Sequence, residues 1–155
     1  MPDSYFNPFQ AIDIVVPIDL HKAMSDYCQT SGNFGIDKSP FPRLIDMWFV
    51  ALGVAARLGL KPEDISRRET VKIIDGSIFT SDSWRVRLLM LLAIGYQGDV
   101  DIVREPRKMM ALASGLAVAG LPKVIEMLSE GSAEPIWNLS EALVQLLDAK
   151  VSEIA

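Results

Sequence analysis

Residues 43–58 read RLIDMWFVALGVAARL, and this stretch decides the fold. It contains two Arg and one Asp but is otherwise almost entirely apolar, so a helix here has hardly any polar face. The preceding SPFP at 39–42 excludes a helix before it, and Gly59 supplies a stop after it. A helix that is apolar nearly all round belongs inside a structure, so we expect helix 43–58 to be a central element of the core.

Two further stretches share this character. Residues 84–96, WRVRLLMLLAIGY, follow the cap-forming run SDS at 81–83 and predict a second helix that is apolar on every side and also central. Residues 107–119, RKMMALASGLAVA, predict a third helix, rich in small residues.

The third helix carries a stripe of small side chains that recur every four residues. Small residues in register allow another helix to approach closely. Packing inside one chain explains this stripe at least as well as contact with a second chain does. The candidate interface residues are Ala111, Gly115 and Ala119, with Met109 and Met110 beside them.

The rest of the chain predicts short elements around these helices. They are an extended arm at 1–16, a helix at 17–30, a polar turn or helix at 62–69, a β-hairpin at 71–79 turning on Asp75-Gly76, a short helix at 99–104, a helix at 122–131, and a last helix capped by Asn138. The predicted fold is all-α: one domain over 17–155, a bundle or array of six or seven helices, with that one candidate hairpin.

The chain is also rich in apolar residues for its length. Of its 155 residues, 50% are Ala, Val, Ile, Leu, Met, Phe, Trp, Tyr or Cys. Counting Gly in place of Tyr gives about 55%, above the ~45–50% of typical soluble domains. Six or seven helices can enclose one or two that are apolar all round. The surplus therefore predicts that one of helices 43–58, 84–96 and 107–119 is covered by another polypeptide.

Charge and cysteine content point to a cytoplasmic protein. The first twenty residues hold three acids and no base, which is the wrong charge for a secretory or organellar leader. Cys28 is the single cysteine, so no disulfide can form within the chain. The longest nearly apolar runs, 47–56 and 88–94, are shorter than the ~20 residues of a membrane-spanning helix. We therefore expect no membrane segment.

Residue types suited to catalysis are sparse. One His and one Cys cannot form a zinc site of the usual composition. Magnesium bound by carboxylates alone is an alternative at Asp99 and Asp101 or at Glu63 and Asp64, but residues one or two apart on a helix do not face each other, so solvated helix starts are the simpler interpretation. We expect neither metal nor cofactor.

His21, Ser25 and Cys28 share one face of the predicted first helix, but His21 and Cys28 lie about 10 Å apart along its axis. His21 is a candidate proton-transfer residue, although the simpler interpretation is that it flanks the core. The glycine-bearing SGNFG at 31–35 matches no phosphate-binding motif.

The middle of the chain is mildly basic, with ten bases against eight acids over 57–108. The net charge of −5 is far from that of a dedicated nucleic-acid-binding protein, and a solvated face is the simpler interpretation. The candidate contacts to DNA or RNA are Arg67, Arg68, Trp84, Arg85, Arg87, Arg107 and Lys108.

These observations lead to three functional hypotheses. The first is a non-catalytic interaction protein, acting as a homo-oligomer such as a homodimer or as an accessory subunit of a larger cytoplasmic complex. The alternative is an accessory protein of a nucleic-acid-processing or genome-defence system. The third is a helical domain that binds a small ligand among its Met and Trp side chains. The partner expected first is a protein, either a second copy or a different chain.

Overall fold

The helices and strands follow one another with short connections. The computed structural model describes residues 6–31 and 35–154, the side chains of 31 and 150–154 excepted. Within that range the elements are β1 (Asp13–Pro17), α1 (Ile18–Ser25), α2 (Leu44–Leu58), β2 (Thr70–Asp75), α3 (Ser83–Gln97), α4 (Pro106–Ser129) and α5 (Pro135–Ile154). Short 3₁₀ helices lie at Gln29–Ser31, Gly76–Thr80 and Val100–Arg104. The chain is mostly helical, as predicted, with five α-helices among the described residues and one two-stranded sheet.

Helix α2 packs against α4 and forms the centre of the core with it. The α2 side chains of Met47 and Trp48 and the α4 side chains of Leu116 and Leu121 are fully buried. The backbones of the two helices nearly touch, because a Cβ atom placed on Gly120 would lie 2.1 Å from the Ala51 carbonyl oxygen. The predicted helix 43–58 is confirmed.

Local signals fix both ends of α2. Asp46 accepts a hydrogen bond from the backbone N–H of Arg43 at 3.0 Å, which satisfies an amide at the start of the helix. Gly59 ends the helix in the left-handed conformation, with φ of 65°.

The predicted hairpin at 71–79 is wrong. Strand β2 pairs antiparallel with β1, with Ile14 opposite Ile74 and Val16 opposite Val71. Gly76 is not a hairpin turn but opens the 3₁₀ helix Gly76–Thr80. It sits so close to the N-terminal segment that an added Cβ would lie 1.9 Å from the carbonyl oxygen of Phe9. The β-branched run in β1, within the predicted extended arm, supplies the partner strand.

Helices 107–119 and 122–131 are one helix, so the predicted count of six or seven is too high. Gly120 does not stop α4, because close packing against α2 holds its backbone in place. Pro122 lies on the exposed side and removes only the hydrogen bond that its amide would donate to Val118. The core contacts on both sides of this position outweigh one missing bond.

Two smaller predictions are also corrected, and a third is narrowed. Helix α1 ends at Ser25 instead of running to 30, because the chain then bridges to Phe41, whose N–H donates to the Tyr27 carbonyl at 3.1 Å. Of the turn or helix predicted at 62–69, the turn is present, since the Arg68 N–H donates to the Ile65 carbonyl at 3.0 Å, and no helix forms in this segment. Asn138 is not a cap: its buried side chain donates to the carbonyls of Leu128 and Ala133 at 3.1 and 2.9 Å, and α5 has already begun at Pro135.

Helix α4 is long and apolar enough, by length and composition alone, to cross a membrane. In the fold, 56% of its most apolar window is buried, which is the pattern of a core helix.

Candidate interaction surface

One face of α3 exposes large apolar side chains in a row. Trp84, Leu88 and Leu91 are 54%, 40% and 68% exposed. They follow one another at intervals of four and three residues, which places them on one side of a helix, and Gly95 continues the row after four more. We call these four residues the α3 stripe. The sequence predicts that α3 is a central helix. The structure instead places one face of α3 in the core and the other face at the surface.

The opposite face of α3 is anchored in the core. Val86, Leu89 and Ala93 are buried, and they alternate with the stripe at helical spacing. Both faces of α3 are apolar. One of them packs against the core of this chain, and the other lies open. The surface is therefore apolar beyond what the stability of the single chain requires.

The Trp84 ring at the start of the stripe is held in position by an arginine. The guanidinium carbon of Arg85 lies 4.5 Å from the centroid of Trp84 and 4.6 Å from that of Phe49. The Phe49 ring is itself 5.8 Å from the Trp84 ring. A cation in contact with two rings that also contact each other restricts the motion of both. Trp84 is thus an exposed aromatic side chain with a fixed orientation.

Arg85 is in turn held by carboxylates from two elements. Its Nη2 donates to Asp46 of α2 at 2.8 Å, and its Nε lies 3.3 Å from Asp82, just before α3. Only 7% of Arg85 is exposed. Arg85 is therefore a structural residue that positions Trp84, and it is not available at the surface as the predicted contact to DNA or RNA.

The small residues of α4 serve packing within the chain. Gly115 contacts the loop before β2: the Glu63 N–H donates to its carbonyl at 3.0 Å, and an added Cβ would lie 2.5 Å from the Glu63 oxygen. Met109 and Met110 are buried, Ala119 is half-buried, and Ala111 alone is exposed. The predicted interface set is thus brought together on one helix, but most of it faces the interior.

Three of the six basic residues predicted to contact DNA or RNA are paired with acids, Arg85 as described above and two others. Arg68 lies 3.1 Å from Asp19 and 3.2 Å from Glu63, and Lys108 lies 2.9 Å from Glu105. Each such pair reduces the positive field that phosphates would meet. Three of the predicted nucleic-acid contacts are exposed and have no ion pair among the described residues: Arg67, Arg87 and Arg107.

The structure does not assemble a catalytic group around His21. The Ser25 hydroxyl donates to the backbone carbonyl of His21 at 2.9 Å, so its proton is engaged by the main chain and not by the imidazole. Cys28 is buried in the core. Within residues 6–31 and 35–154, no three His, Cys, Asp or Glu side chains come together as a metal site would require.

Burial makes Cys28 a poor nucleophile. It raises the pKa of the thiol from its ordinary value of 9.0 to about 12, with the nearby charge of Asp46 as a smaller cause. Since the unfolded thiol ionises at lower pH than the folded one, the folded state holds more protons in this window. We therefore expect the contribution of Cys28 to stability to decrease as the pH rises from 9.0 towards about 12.

Urea unfolding of wild type and Cys28→Ala at several alkaline pH values tests this expectation. The stability difference between the two proteins should shrink with rising pH, while other groups titrate equally in both. Parallel pH curves would show that the thiol does not resist ionisation in the folded chain.

Helix α5 exposes apolar side chains as well, at Trp137, Val144 and Leu147. Trp137 differs from Trp84 in having no stacked arginine or aromatic ring among the described residues. The α5 residues are therefore exposed without the preorganisation that distinguishes the α3 stripe.

The sequence contains the stripe but does not reveal it. Trp84, Leu88, Leu91 and Gly95 have the spacing of one helix face, yet apart from Arg85 and Arg87 the residues between them are just as apolar, so little contrast marks the exposed side.

Comparison of the chain with protein-family models, with curated proteins and with solved structures finds no match.

Proposed function

We propose that this chain is a non-catalytic interaction protein of the cytoplasm, acting as a homo-oligomer or as an accessory subunit, and that another polypeptide covers its α3 stripe. The observation that supports this most directly is the exposed Trp84 ring, fixed by stacking on a buried and doubly paired Arg85. Rigid aromatic anchors beside apolar neighbours are typical of the residues that dominate binding energy in protein interfaces.

The stripe offers enough apolar surface to drive association. Burying a fully exposed Leu contributes about 1.5–3 kcal/mol, so Leu91 alone would add roughly 1–2 kcal/mol when covered. Trp84 and Leu88 add to this. Because Arg85 already fixes the ring of Trp84, less side-chain entropy is lost on binding.

Leu91→Lys tests the proposal, with Leu147→Lys as the matched control. Both leucines are exposed on a helix, at 68% and 54%, so neither change disturbs a buried side chain. We expect Leu91→Lys to weaken association about tenfold or more, because a charge would be desolvated at the contact. Leu147→Lys should leave association unchanged. Light scattering measures self-association, and affinity purification from the native cell, compared among the three proteins, measures a different partner.

Circular dichroism melts of both variants establish that each is folded. Association lost in Leu147→Lys but retained in Leu91→Lys would place the interface on α5 and refute the proposal. Equal retention in both variants would refute it as well.

A further inference from the structure

We infer that the α3 stripe is covered by a second copy of this chain, with the two α3 helices antiparallel across a twofold axis and Trp84 of each copy packed over Gly95 of the other. This inference rests on the proposed function, since it names the partner of the same surface. The order of large and absent side chains along the stripe supports the inference.

The stripe is complementary to itself when reversed. Positions 84 and 95 have the same midpoint as positions 88 and 91, so one twofold axis brings Trp84 level with the partner's Gly95 and Leu88 level with the partner's Leu91. A closed dimer requires such an isologous surface, in which one patch matches its own reversed copy. The whole stripe is about 16 Å long, because eleven steps of about 1.5 Å separate its first and last residues.

Gly95 provides the space that a large side chain needs. It lies in α3 at an exposed position, and a Cβ atom placed on it would meet nothing within 4 Å. A glycine inside a helix costs about 0.5–1 kcal/mol relative to Ala, and no contact with the described residues requires one here. It leaves an open space beside the exposed Leu91, which we call the hollow, and the inference places the partner's indole ring in it.

A parallel arrangement lacks this fit. It would place Trp84 against Trp84, leave two glycines facing each other across a gap, and bring the exposed Arg87 side chains to the same level. The antiparallel arrangement instead offsets the two Arg87 residues by about 7 Å along the axis.

The expected affinity is modest. A contact of this length buries less than the about 1,600 Å² of a standard interface, so we expect a dimer that dissociates in the micromolar range. Sedimentation equilibrium of the full chain across micromolar concentrations should show a reversible monomer–dimer equilibrium. A strict monomer throughout this range would overturn the inference. The proposed function would survive it, because a chain of different sequence could still cover the stripe.

The variant Gly95→Leu distinguishes a dimer in which Trp84 occupies the hollow at Gly95 from a dimer held together only by general apolar contact. If Trp84 occupies the hollow, filling it should weaken the dimer about tenfold, although the substitution makes the surface more apolar. If the stripe merely adheres, the added side chain should strengthen association. Gly53→Leu is the matched control, because Gly53 is also exposed in a helix with nothing near its Cβ position, but on α2. Dimerisation that Gly95→Leu strengthens, or that Gly53→Leu weakens equally, would overturn the inference.

Cysteine cross-linking determines the direction of the helices. Positions 84 and 95 are about 16 Å apart in one helix, beyond the roughly 7 Å reach of a disulfide, so any cross-link joins two chains. We expect Trp84→Cys and Gly95→Cys to cross-link when mixed and neither to cross-link alone. The buried Cys28 gives the wild type no background.

The outcomes separate the two proposals. Cross-linking of Trp84→Cys to itself would show a parallel dimer, which overturns the antiparallel inference and leaves the α3 stripe as the interaction surface. A dimer that Leu91→Lys leaves intact would refute the stripe itself, and with it both proposals.

Discussion

Replacing Gly120 by Ala should lower the free energy of unfolding by about 3 kcal/mol, at the upper end of the usual cost of overpacking a core. The added methyl group would lie 2.1 Å from the carbonyl oxygen of Ala51 and 3.2 Å from the Cβ of Ala55. Both obstacles belong to α2, whose backbone is fixed by the core on its other sides, so the two helices must move apart. Urea denaturation followed by circular dichroism measures the change.

Gly53→Ala is the control for the Gly120 variant. It places the same methyl group on a helical glycine with free space around it, and we expect it to stabilise the protein by up to about 1 kcal/mol through the better helix propensity of Ala. Equal effects of the two substitutions would show that α2 and α4 are not in close contact at Gly120.

Arg85→Met should destabilise the protein by about 3 kcal/mol, the lower end of the range for removing one partner of a buried ion pair. Methionine retains much of the apolar contact with the rings of Phe49 and Trp84. The loss therefore arises from the Asp46 carboxylate, whose side chain is 20% exposed and which loses its nearest cation at 2.8 Å. We place the value at the lower end because Asp46 still accepts a hydrogen bond from Arg43.

Arg87→Met is the control for Arg85→Met. Arg87 lies two residues further along α3 and is exposed, so its replacement should change stability by less than about 0.5 kcal/mol. The double variant Asp46→Asn/Arg85→Met should recover part of the loss, since it removes a carboxylate whose remaining cation partner, Arg43, lies 3.4 Å away. Arg85→Met as stable as wild type would contradict the role given to the pair. Near-ultraviolet circular dichroism should also report a changed environment of Trp84.

Local signals predicted α2 well because they act within a few residues. The apolar run, the proline-rich segment before it and Gly59 after it all lie inside one stretch of sequence, and packing does not oppose any of them. The predictions for the other elements are wrong where a contact with a distant part of the chain determines the local structure. Asp75-Gly76 has the sequence of a hairpin turn, but β2 finds its partner in β1, so the turn geometry is never needed.

The same limit applies to the breakers in α4. Gly120 is typical of a helix end, yet here it permits contact with Ala51, and this contact belongs to another helix. No pattern around Gly120 distinguishes the two roles. The sequence also predicts close packing for the small residues of α4, but it does not reveal that their neighbours are α2 and the loop at Glu63.

The candidate surface was only partly accessible from sequence. The surplus of apolar residues limits the candidate surface to three helices, and α3 is one of them. Which face of α3 lies open depends on the helices and rings that cover the other face, and an evenly apolar helix carries no mark of this. The burial of Arg85 depends on Asp46, 39 positions earlier, so a sequence pattern favours an exposed base at that position.

The pairing of β1 with β2 has a consequence for synthesis on the ribosome. Ile14 meets Ile74, about 60 residues later, so at the ~5–20 residues per second of translation the first strand waits roughly 3–12 seconds for its partner. During that interval the segment Ile14-Val15-Val16 has no strand to pair with and can join a neighbouring nascent chain. We expect newly made chains to be most prone to aggregation before residue 75 emerges, when neither the sheet nor the contact between α2 and α4 can yet form.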